Sequence, residues 1–278
     1  FSAFRSTYGD LRDNPELQED LANRIAPFLK RRTKAEVCAE LPPKEERMIF
    51  CDMHGEQRAL YETLRETGRK QLADCERSDK RINAEIFTTL LRLRQTCCHP
   101  ALLPDSPSAP SAKFELLQEL VLEHIDSGHK LLLFSQFTSF LAKITEWLDR
   151  DKIAYEYLDG STRNRQDRVD NFNNNAEIPI FLLSLKAGGT GLNLTSADTV
   201  ILCDPWWNPA VELQAADRTH RIGQSRPVTS LKLLVRDSIE EKILALQEKK
   251  QQMFDNVIDN PSIAATKFTI EDLKFLLN

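Results

Sequence analysis

Ile178-Pro-Ile-Phe-Leu-Leu183 is a short apolar run, and the glycine-rich cluster Lys186-Ala-Gly-Gly-Thr-Gly191 follows it closely. Further short apolar runs alternate with amphipathic, helix-like segments through the second half of the chain. The runs are Leu131–Phe134, Ile153–Leu158, Thr199–Cys203 and Val228–Val235, and the helix-like segments include 137–150 and 163–173. Apolar strands that alternate with helices are typical of a parallel sheet covered on both faces. The sequence therefore predicts an α/β fold for this region.

Unusual polar clusters follow four of these runs. They are Ser135-Gln-Phe137, Asp159-Gly-Ser-Thr162, Lys186–Gly191 and Asp204-Pro-Trp-Trp-Asn-Pro209. In an open α/β sheet, ligands bind outside the carboxyl ends of the strands. Four clusters in this position predict one shared edge, referred to below as the carboxyl edge. A site of that size suits a polymer or a partner protein lobe.

Two of the clusters favour contact with a ligand. The three glycines of Lys186–Gly191 let the main chain approach a phosphate closely, and exposed N–H groups beside a lysine form an anion nest. The Gly-Lys-Ser/Thr ending of a P-loop is missing, and an ordinary strand-to-helix turn is the alternative. Adjacent Trp206 and Trp207 cannot both point inward from a strand end, so at least one is expected to meet solvent or a partner.

A further motif is Gln214-Ala-Ala-Asp-Arg-Thr-His-Arg-Ile-Gly-Gln224. Before it, Asn208 and Pro209 have the pattern of a helix start, with a capping residue followed by proline. On the predicted helix, Arg218 and Arg221 are three residues apart and project from one face. Two permanently charged guanidinium groups suit a phosphate whose charge changes during a reaction. The alternative is a pair of solvated surface arginines.

Composition and charge narrow the class of protein. A chain of 278 residues with 41% hydrophobic content is long enough for one or two ordinary cores. No apolar run is long enough to span a membrane, and the first residues lack the pattern of a signal peptide. The six cysteines show no metal-ligand spacing, even where Cys97 and Cys98 precede His99, and they are expected to be reduced thiols. With a net charge of −5, any contact with DNA must come from a local basic surface.

The stretch Pro104-Asp-Ser-Pro-Ser-Ala-Pro-Ser-Ala112 divides the chain. Before it the pattern is mostly helical, with apolar residues at helical spacing and a short extended piece at 48–52. We therefore predict a helical insertion region at 1–108 and an α/β lobe at 109–278. The alternative for the first region is a small helical bundle with a purely structural role.

The motifs together resemble the Swi/Snf family of superfamily 2 DNA translocases. Residues 214–224 are similar to its last conserved motif, with the family's His-Arg-Ile-Gly-Gln form. The other similar blocks are Phe28–Lys34 with Glu40–Lys44, Leu91–Pro100, Lys130–Phe137, Tyr157–Thr162, Leu183–Leu194 and Asp237–Ile243. They occur in the family's order and cover most of the chain. The resemblance implies a RecA-like second motor lobe, a preceding helical insertion and a C-terminal brace helix.

The resemblance also implies roles for individual residues. Arg221 would be an arginine finger, with Arg218 beside it on the γ-phosphate of ATP. Gly191, Asn193 and Gln214 would lie near the nucleotide, where asparagine keeps an acceptor but lacks the charge of the acidic residue found in related motors. Contacts with the DNA backbone would come from Ser135, Ser161, Lys186, Thr190 and Trp207. Such contacts carry no sequence information and depend strongly on salt.

The expected cofactors are ATP and Mg²⁺, held mainly by a first lobe, because this sequence has neither a P-loop nor an Asp-Glu-x-His block. The expected partners are double-stranded DNA, the first RecA-like lobe and a nucleoprotein substrate, with no membrane. The location would be cytoplasmic and nucleoid-associated in a prokaryote, or nuclear in a eukaryote. Without the first lobe the fragment is expected to be inactive. Two alternatives remain: an RNA helicase second lobe, and a non-catalytic platform that binds DNA or protein.

Overall fold

The computed structural model describes residues 7–8, 15–28, 41–77, 84–104, 106, 109–188, 191–221, 223–257 and 270–278. The strands are β1 Lys44–Cys51, β2 Leu131–Ser135, β3 Tyr155–Leu158, β4 Ile180–Ser184, β5 Thr199–Leu202 and β6 Val228–Val235. The helices are α1 Pro15–Ile25, α2 Gly55–Arg77, α3 Ala84–Cys98, α4 Ala112–Asp126, α5 Thr138–Arg150, α6 Arg165–Asn174, α7 Leu185–Gly188, α8 Pro209–Ala216, α9 Ile239–Val257 and α10 Ile270–Leu277. No helix within these ranges is long and apolar enough to cross a membrane.

The described strands form one sheet of six in the order β1-β6-β5-β2-β4-β3, and every pairing is parallel. The predicted α/β fold is therefore confirmed. Two strands begin two residues later than the apolar runs suggest, β3 at Tyr155 and β4 at Ile180. For β4 the reason is Pro179, which has no N–H for the ladder but accepts a bond from Leu131 N at 2.8 Å.

Side chains of the central strands alternate between two cores. In β2, Leu131 and Leu133 belong to a cluster with Phe140 and Trp147 of α5. Leu132 and Phe134 belong to a second cluster, which also contains residues of α6 and α8. Because successive strand residues point to opposite faces, a run of five buried positions needs helices on both sides.

The region before the Pro/Ser-rich stretch contributes a strand to the sheet. The short extended piece predicted at 48–52 is an eight-residue strand, β1, at the edge beside β6. Its register runs from Lys44 opposite Val228 to Cys51 opposite Val235. The sequence pattern did not show this pairing, because β1 has an irregular pattern of burial and its partner is far away in the chain. The proposed division at residue 108 stays a prediction.

Helices from both ends of the chain share a third core. It contains Tyr61 of α2, Leu93 of α3, Ile243 of α9 and Leu277 of α10, all fully buried or nearly so. The Tyr61 hydroxyl accepts a hydrogen bond from Ile239 N at 2.6 Å, and burial raises the pKa of this phenol well above its ordinary value. Helix α9 begins within the block for which the resemblance implied a brace helix, and it packs against α2 and α3, which precede the Pro/Ser-rich stretch.

One ion pair in this assembly is completely buried. The Lys113 ammonium on α4 donates to both carboxylate oxygens of Glu240 on α9, at 2.5 and 2.7 Å, and to the Cys203 carbonyl at 2.9 Å. The pair therefore joins α4, α9 and the end of β5. Burial lowers the pKa of Lys113, but the Glu240 carboxylate outweighs this effect and the net pKa is raised. All three ammonium protons are used, so this charge is fully partnered.

Candidate nucleotide and nucleic-acid interface

The four polar clusters lie at one edge of the sheet, as predicted. They follow β5, β2, β4 and β3, which are neighbours in that order, and all four strands run in the same direction. Because parallel neighbours end on the same side, the clusters line one continuous carboxyl edge.

Asp204, two residues after the end of β5, holds neighbouring segments together at the centre of this edge. Its carboxylate accepts a hydrogen bond from the Ser135 hydroxyl and from Gln136 N, the latter at 3.2 Å. Arg94 Nη2 lies 3.9 Å from the same carboxylate. Burial raises the pKa of Asp204, and the positive charge of Arg94 opposes that shift. The network joins the ends of β5 and β2 to helix α3.

This network changes the interpretation of Ser135. The side chain is 0% exposed, its hydroxyl donates to Asp204, and its oxygen accepts from Phe137 N at 3.0 Å. The contact with a DNA backbone that the resemblance implied has no exposed atom to make it. Ser135 instead fixes the turn after β2, because its side chain, on the last residue of the strand, bonds both Asp204 and Phe137 N.

The turn after β3 carries an exposed serine. Ser161 donates from its N–H and its hydroxyl to Asp159 Oδ1, at 2.8 and 2.7 Å. Both bonds lower the pKa of Asp159, and the bond from the hydroxyl has the larger effect. To donate to a phosphate, the Ser161 hydroxyl must rotate away from Asp159. The next residue but one, Arg163, is exposed and provides a positive charge that the sequence motifs did not single out.

The glycine-rich cluster is only partly described. After β4 the chain forms the short helix α7, and Gly191 has a φ of +28°, a region that favours glycine. Thr190 and the Lys186 side chain lie outside the described part, so their predicted contacts stay predictions. Asn193 is exposed, and its carbonyl accepts from Asn173 Nδ2 at 2.9 Å.

The arginine motif begins as predicted but ends differently. Asn208 Oδ1 accepts from Ala210 N at 3.0 Å, and Pro209 occupies the first turn of α8. The helix ends at Ala216, so placing both arginines on a helix was wrong. The helical hydrogen-bond pattern is lost after it, because Arg221 N donates to the Thr219 carbonyl at 3.0 Å and the Arg218 carbonyl accepts from the distant Leu194 N at 3.2 Å.

Arg218 and Arg221 lie in the turns that follow α8. Arg221 is exposed, and Arg218 is half-buried. Burial lowers the pKa of Arg218, and the positive charge of Arg221 lowers it further. A bound anion would oppose both effects. The Arg218 carbonyl also accepts from Leu194 N at 3.2 Å, which ties this turn to the segment that carries Asn193.

Gln224 holds the turn in place after the arginines. Its side-chain amide donates to the carbonyls of Ala197 and Thr219, at 2.7 and 3.2 Å. Gln214, the other predicted nucleotide contact from this motif, is exposed on α8. The final glutamine of His-Arg-Ile-Gly-Gln therefore acts as a structural clamp, whereas Gln214 stays available to a ligand.

Trp206 and Trp207 are both half-buried, and each packs against a different core. Trp206 packs against the cluster on the α8 side of the sheet, whereas Trp207 packs against the helical third core. The guanidinium of Arg94 lies between them, 5.6 Å from the Trp206 ring centre and 5.0 Å from that of Trp207. Both residues keep part of their surface exposed.

Comparison with known proteins identifies the family. The model of the SNF2-related domain matches residues 1–102, and that of the helicase conserved C-terminal domain matches residues 112–223. The solved C-terminal domain of the Sulfolobus solfataricus SWI2/SNF2 ATPase superposes with a TM-score of 0.65 at 30% identity, covering 84% of this chain and 97% of that domain. This chain belongs to the SWI2/SNF2 family.

Two further members of the SWI2/SNF2 family set the scale of the relationship. The S. solfataricus SWI2/SNF2 ATPase core in complex with dsDNA gives a TM-score of 0.67 at 31% identity, covering 99% of this chain and 59% of that one. The zebrafish (Danio rerio) protein chromodomain-helicase-DNA-binding protein 1-like is 38% identical over 268 residues, which are 92% of this chain and 26% of that protein. The chain thus spans about a quarter of the length of such curated relatives.

The residues that the sequence did not identify as site residues are mainly structural. Asp204 and Gln224 hold the clusters in position, and Arg94 does so from another region of the chain. Arg94 lies inside the Leu91–Pro100 block, in an otherwise buried stretch of α3. An arginine in such a stretch indicates a buried polar partner, but the partner itself is more than 100 residues away.

Proposed function

We propose that this chain is the second lobe of an ATP-dependent translocase on double-stranded DNA. In this proposal Arg221 and Arg218 supply positive charge to the γ-phosphate of ATP. The observation that carries it is the position of Arg218 and Arg221 in the turns after α8, where a hydrogen bond from Leu194 N to the Arg218 carbonyl ties them to the segment of Asn193. Two fixed cations placed where negative charge develops stabilise a phosphoryl-transfer transition state.

The nucleotide and its metal are assigned mainly to the first lobe. Asp204 is buried and already accepts hydrogen bonds, and Asp159 is committed to the turn around Ser161. Neither carboxylate offers Mg²⁺ the open oxygen ligands that it requires. ATP bound by the first lobe would present its γ-phosphate to Arg218 and Arg221 when the lobes close. When bound, Mg²⁺ would neutralise charge on the phosphates.

The carboxyl edge is the proposed surface for DNA. Ser161, Lys186, Thr190 and Trp207 are the proposed contacts, and Arg163 adds an exposed charge beside Ser161. A related SWI2/SNF2 core has been solved in complex with dsDNA, which supports a duplex as the partner. Contacts with phosphates give an affinity that is independent of sequence and falls steeply with salt. Opening and closing of the two lobes would move this surface along one strand.

The wider assignments follow from the same proposal. We place the helical insertion at 1–108 and the motor lobe at 109–278, with β1 of the former completing the sheet of the latter. The partners would be the first lobe and a nucleoprotein on the DNA. Relatives described as chromatin remodellers favour a nuclear location if the source is a eukaryote.

The test is DNA-stimulated ATPase activity of the complete motor with Arg221→Ala. An arginine finger contributes roughly 10³- to 10⁵-fold in rate, so we expect turnover to fall by about that factor while DNA affinity is retained. Arg226→Ala is the matched control, because this nearby exposed arginine pairs with Asp198 at 3.1 Å, outside the proposed site.

Four outcomes bear on the assignment. Near-normal turnover in Arg221→Ala would remove Arg221 from the finger role. The chain alone should show no ATPase activity, whereas a mixture with a purified first lobe should regain it. A preference for single-stranded RNA with strand separation would favour an RNA helicase. Tight duplex binding without turnover, in lobes shown to associate, would favour a binding platform.

A further inference from the structure

Arg94 is a buried cation that bridges two of the polar clusters at the carboxyl edge. The side chain, on α3, is 3% exposed. Its Nη1 donates to Gln136 Oε1 at 2.9 Å, and its Nη2 donates to the Pro205 carbonyl at 2.5 Å. Gln136 follows β2 and Pro205 follows β5. One guanidinium group therefore joins both strand ends to α3, a helix that precedes the Pro/Ser-rich stretch.

Three aromatic rings surround the same guanidinium group. Its central carbon lies 5.0 Å from the ring centre of Trp207, 5.5 Å from that of Phe137 and 5.6 Å from that of Trp206. A guanidinium group within about 6 Å of an aromatic ring is attracted by the ring's quadrupole, and the attraction is stronger where water is excluded. The rings, together with the two hydrogen-bond acceptors, thus replace water around the Arg94 guanidinium group.

The Trp206–Trp207 turn is held from two sides. Trp206 N donates to Glu212 Oε1 at 2.6 Å, and its indole packs on the α8 side of the sheet. Trp207 packs against the third core, on the side of α3 and α9. The main chain therefore crosses from one core to the other between these residues. Of the described side chains, Arg94 is the cation that lies over both indoles.

Burying a guanidinium group is costly. Burial lowers the pKa of Arg94, and the Asp204 carboxylate opposes this shift. Stability alone does not require such an arrangement, since apolar side chains of similar volume often fill a buried site at lower cost. An apolar residue cannot fix two acceptors and two indoles in one geometry. A planar guanidinium group can, because the hydrogen bonds that it donates are directional.

We propose that Arg94 is a positioning residue that holds the Trp206–Trp207 turn and thereby sets the surface that this lobe presents to DNA. The DNA part of this inference rests on the proposed function. The proposal also implies that α3, which precedes the Pro/Ser-rich stretch, controls the geometry of the carboxyl edge. A displacement of α3 would move Pro205 and the two indoles together.

The first experiment reads the position of the indoles without any ligand. The chain has three tryptophans, so Trp147→Phe leaves Trp206 and Trp207 as its emitters. In that background Arg94→Lys keeps the positive charge but loses the planar guanidinium group, and Arg94→Met removes both. Arg58→Met is the matched control: this arginine donates to the Asp237 and Arg236 carbonyls at 2.9 and 3.0 Å and lies 5.9 Å from the Tyr61 ring centre.

Both Arg94 variants should shift the tryptophan emission to longer wavelength and increase quenching by acrylamide. Arg58→Met should leave emission and quenching unchanged, although it also removes two hydrogen bonds from a guanidinium group to main-chain carbonyls. If Arg94→Met does not fold, Arg94→Lys and Gln136→Met, which removes one acceptor of the fork, carry the test. Unchanged emission and quenching in the folded variants would overturn the positioning role.

The second experiment measures the effect of Arg94 on the response to DNA in the complete motor. Arg94→Lys should raise the DNA concentration for half-maximal ATPase stimulation by roughly fivefold or more, within the usual range of coupling between sites. The ATPase rate without DNA and the KM for ATP should stay within about twofold of the parent, because Arg94 touches neither proposed finger. An unchanged DNA requirement would refute the link to the DNA surface. If the parent motor shows no response to DNA, the proposed function fails, and the fluorescence result still decides the positioning role.

Discussion

The buried pair of Lys113 and Glu240 allows a prediction whose sign depends on pH. Neither side chain is more than 1% exposed, and three hydrogen bonds from Lys113 satisfy its ammonium group completely. Removing one partner of such a pair leaves an uncompensated buried charge, which typically costs about 3–5 kcal/mol. We therefore expect Lys113→Met and Glu240→Gln each to lower the free energy of unfolding by about that amount at pH 7.

The two variants should respond to pH in opposite directions. In Lys113→Met, burial raises the pKa of Glu240 without a cation to oppose it, so the folded state favours the neutral acid. That contribution is present at low pH and is lost as the pH rises through the raised pKa. In Glu240→Gln, burial lowers the pKa of Lys113, so the destabilisation should shrink as the pH rises towards the ordinary pKa of lysine.

The double variant Lys113→Met/Glu240→Gln tests whether the cost comes from unpaired charge. A glutamine at 240 can still accept from Val235 N, which now donates to Glu240 Oε2 at 2.9 Å. Its amide group can donate to the Cys203 carbonyl in place of lysine. We expect the double variant to be within about 2 kcal/mol of the parent, well above either single variant.

Urea unfolding of all four proteins at pH 5, 7 and 9 measures these differences, provided each shows one cooperative transition. The reasoning would be refuted by single-variant losses that are the same at every pH. It would also be refuted by a double variant as unstable as the sum of the two single variants, because additive losses mean that the partners do not interact.

Two further predictions concern local hydrogen bonds. Asn208→Ala removes the side-chain acceptor of Ala210 N at the start of α8 and should lower the free energy of unfolding in urea by about 1 kcal/mol. Asn208→Asp keeps the acceptor and should be about as stable as the parent. Equal losses of stability in the two variants would contradict the capping role. Tyr61→Phe leaves Ile239 N without its buried acceptor and should cost about 1–3 kcal/mol. A loss of that size should be accompanied by faster amide exchange at the start of α9, and unchanged exchange there would argue against it.

The sheet was largely predictable from sequence because its central strands depend on local patterns. Five consecutive buried residues in β2 and in β4 read directly as strands covered on both faces. The clusters at their ends then lie at one edge, because parallel neighbours end on the same side. The start of α8 was predictable for the same reason, since Asn208 and Pro209 act on the residues next to them.

The candidate site was only partly predictable. Arg218 and Arg221 were identified from their motif, and in the structure both lie in the turns after α8, where the Arg218 carbonyl bonds Leu194 N beside Asn193. Their placement on a helix was wrong, because Arg221 N donates to the Thr219 carbonyl and the Arg218 carbonyl accepts from Leu194 N. Helical spacing alone cannot show this, since Leu194 reaches Arg218 only in the folded chain.

By itself, the sequence determined the strand rhythm, the polar clusters and the motifs of the SWI2/SNF2 family, all of which are properties of neighbouring residues. The tertiary structure decided that β1 joins β6, that Ser135 is buried against Asp204, and that Arg94 reaches Pro205. Each of these depends on partners that are far apart in the chain. Their contacts are favourable only after loop closure and burial have been achieved, so no local pattern records them.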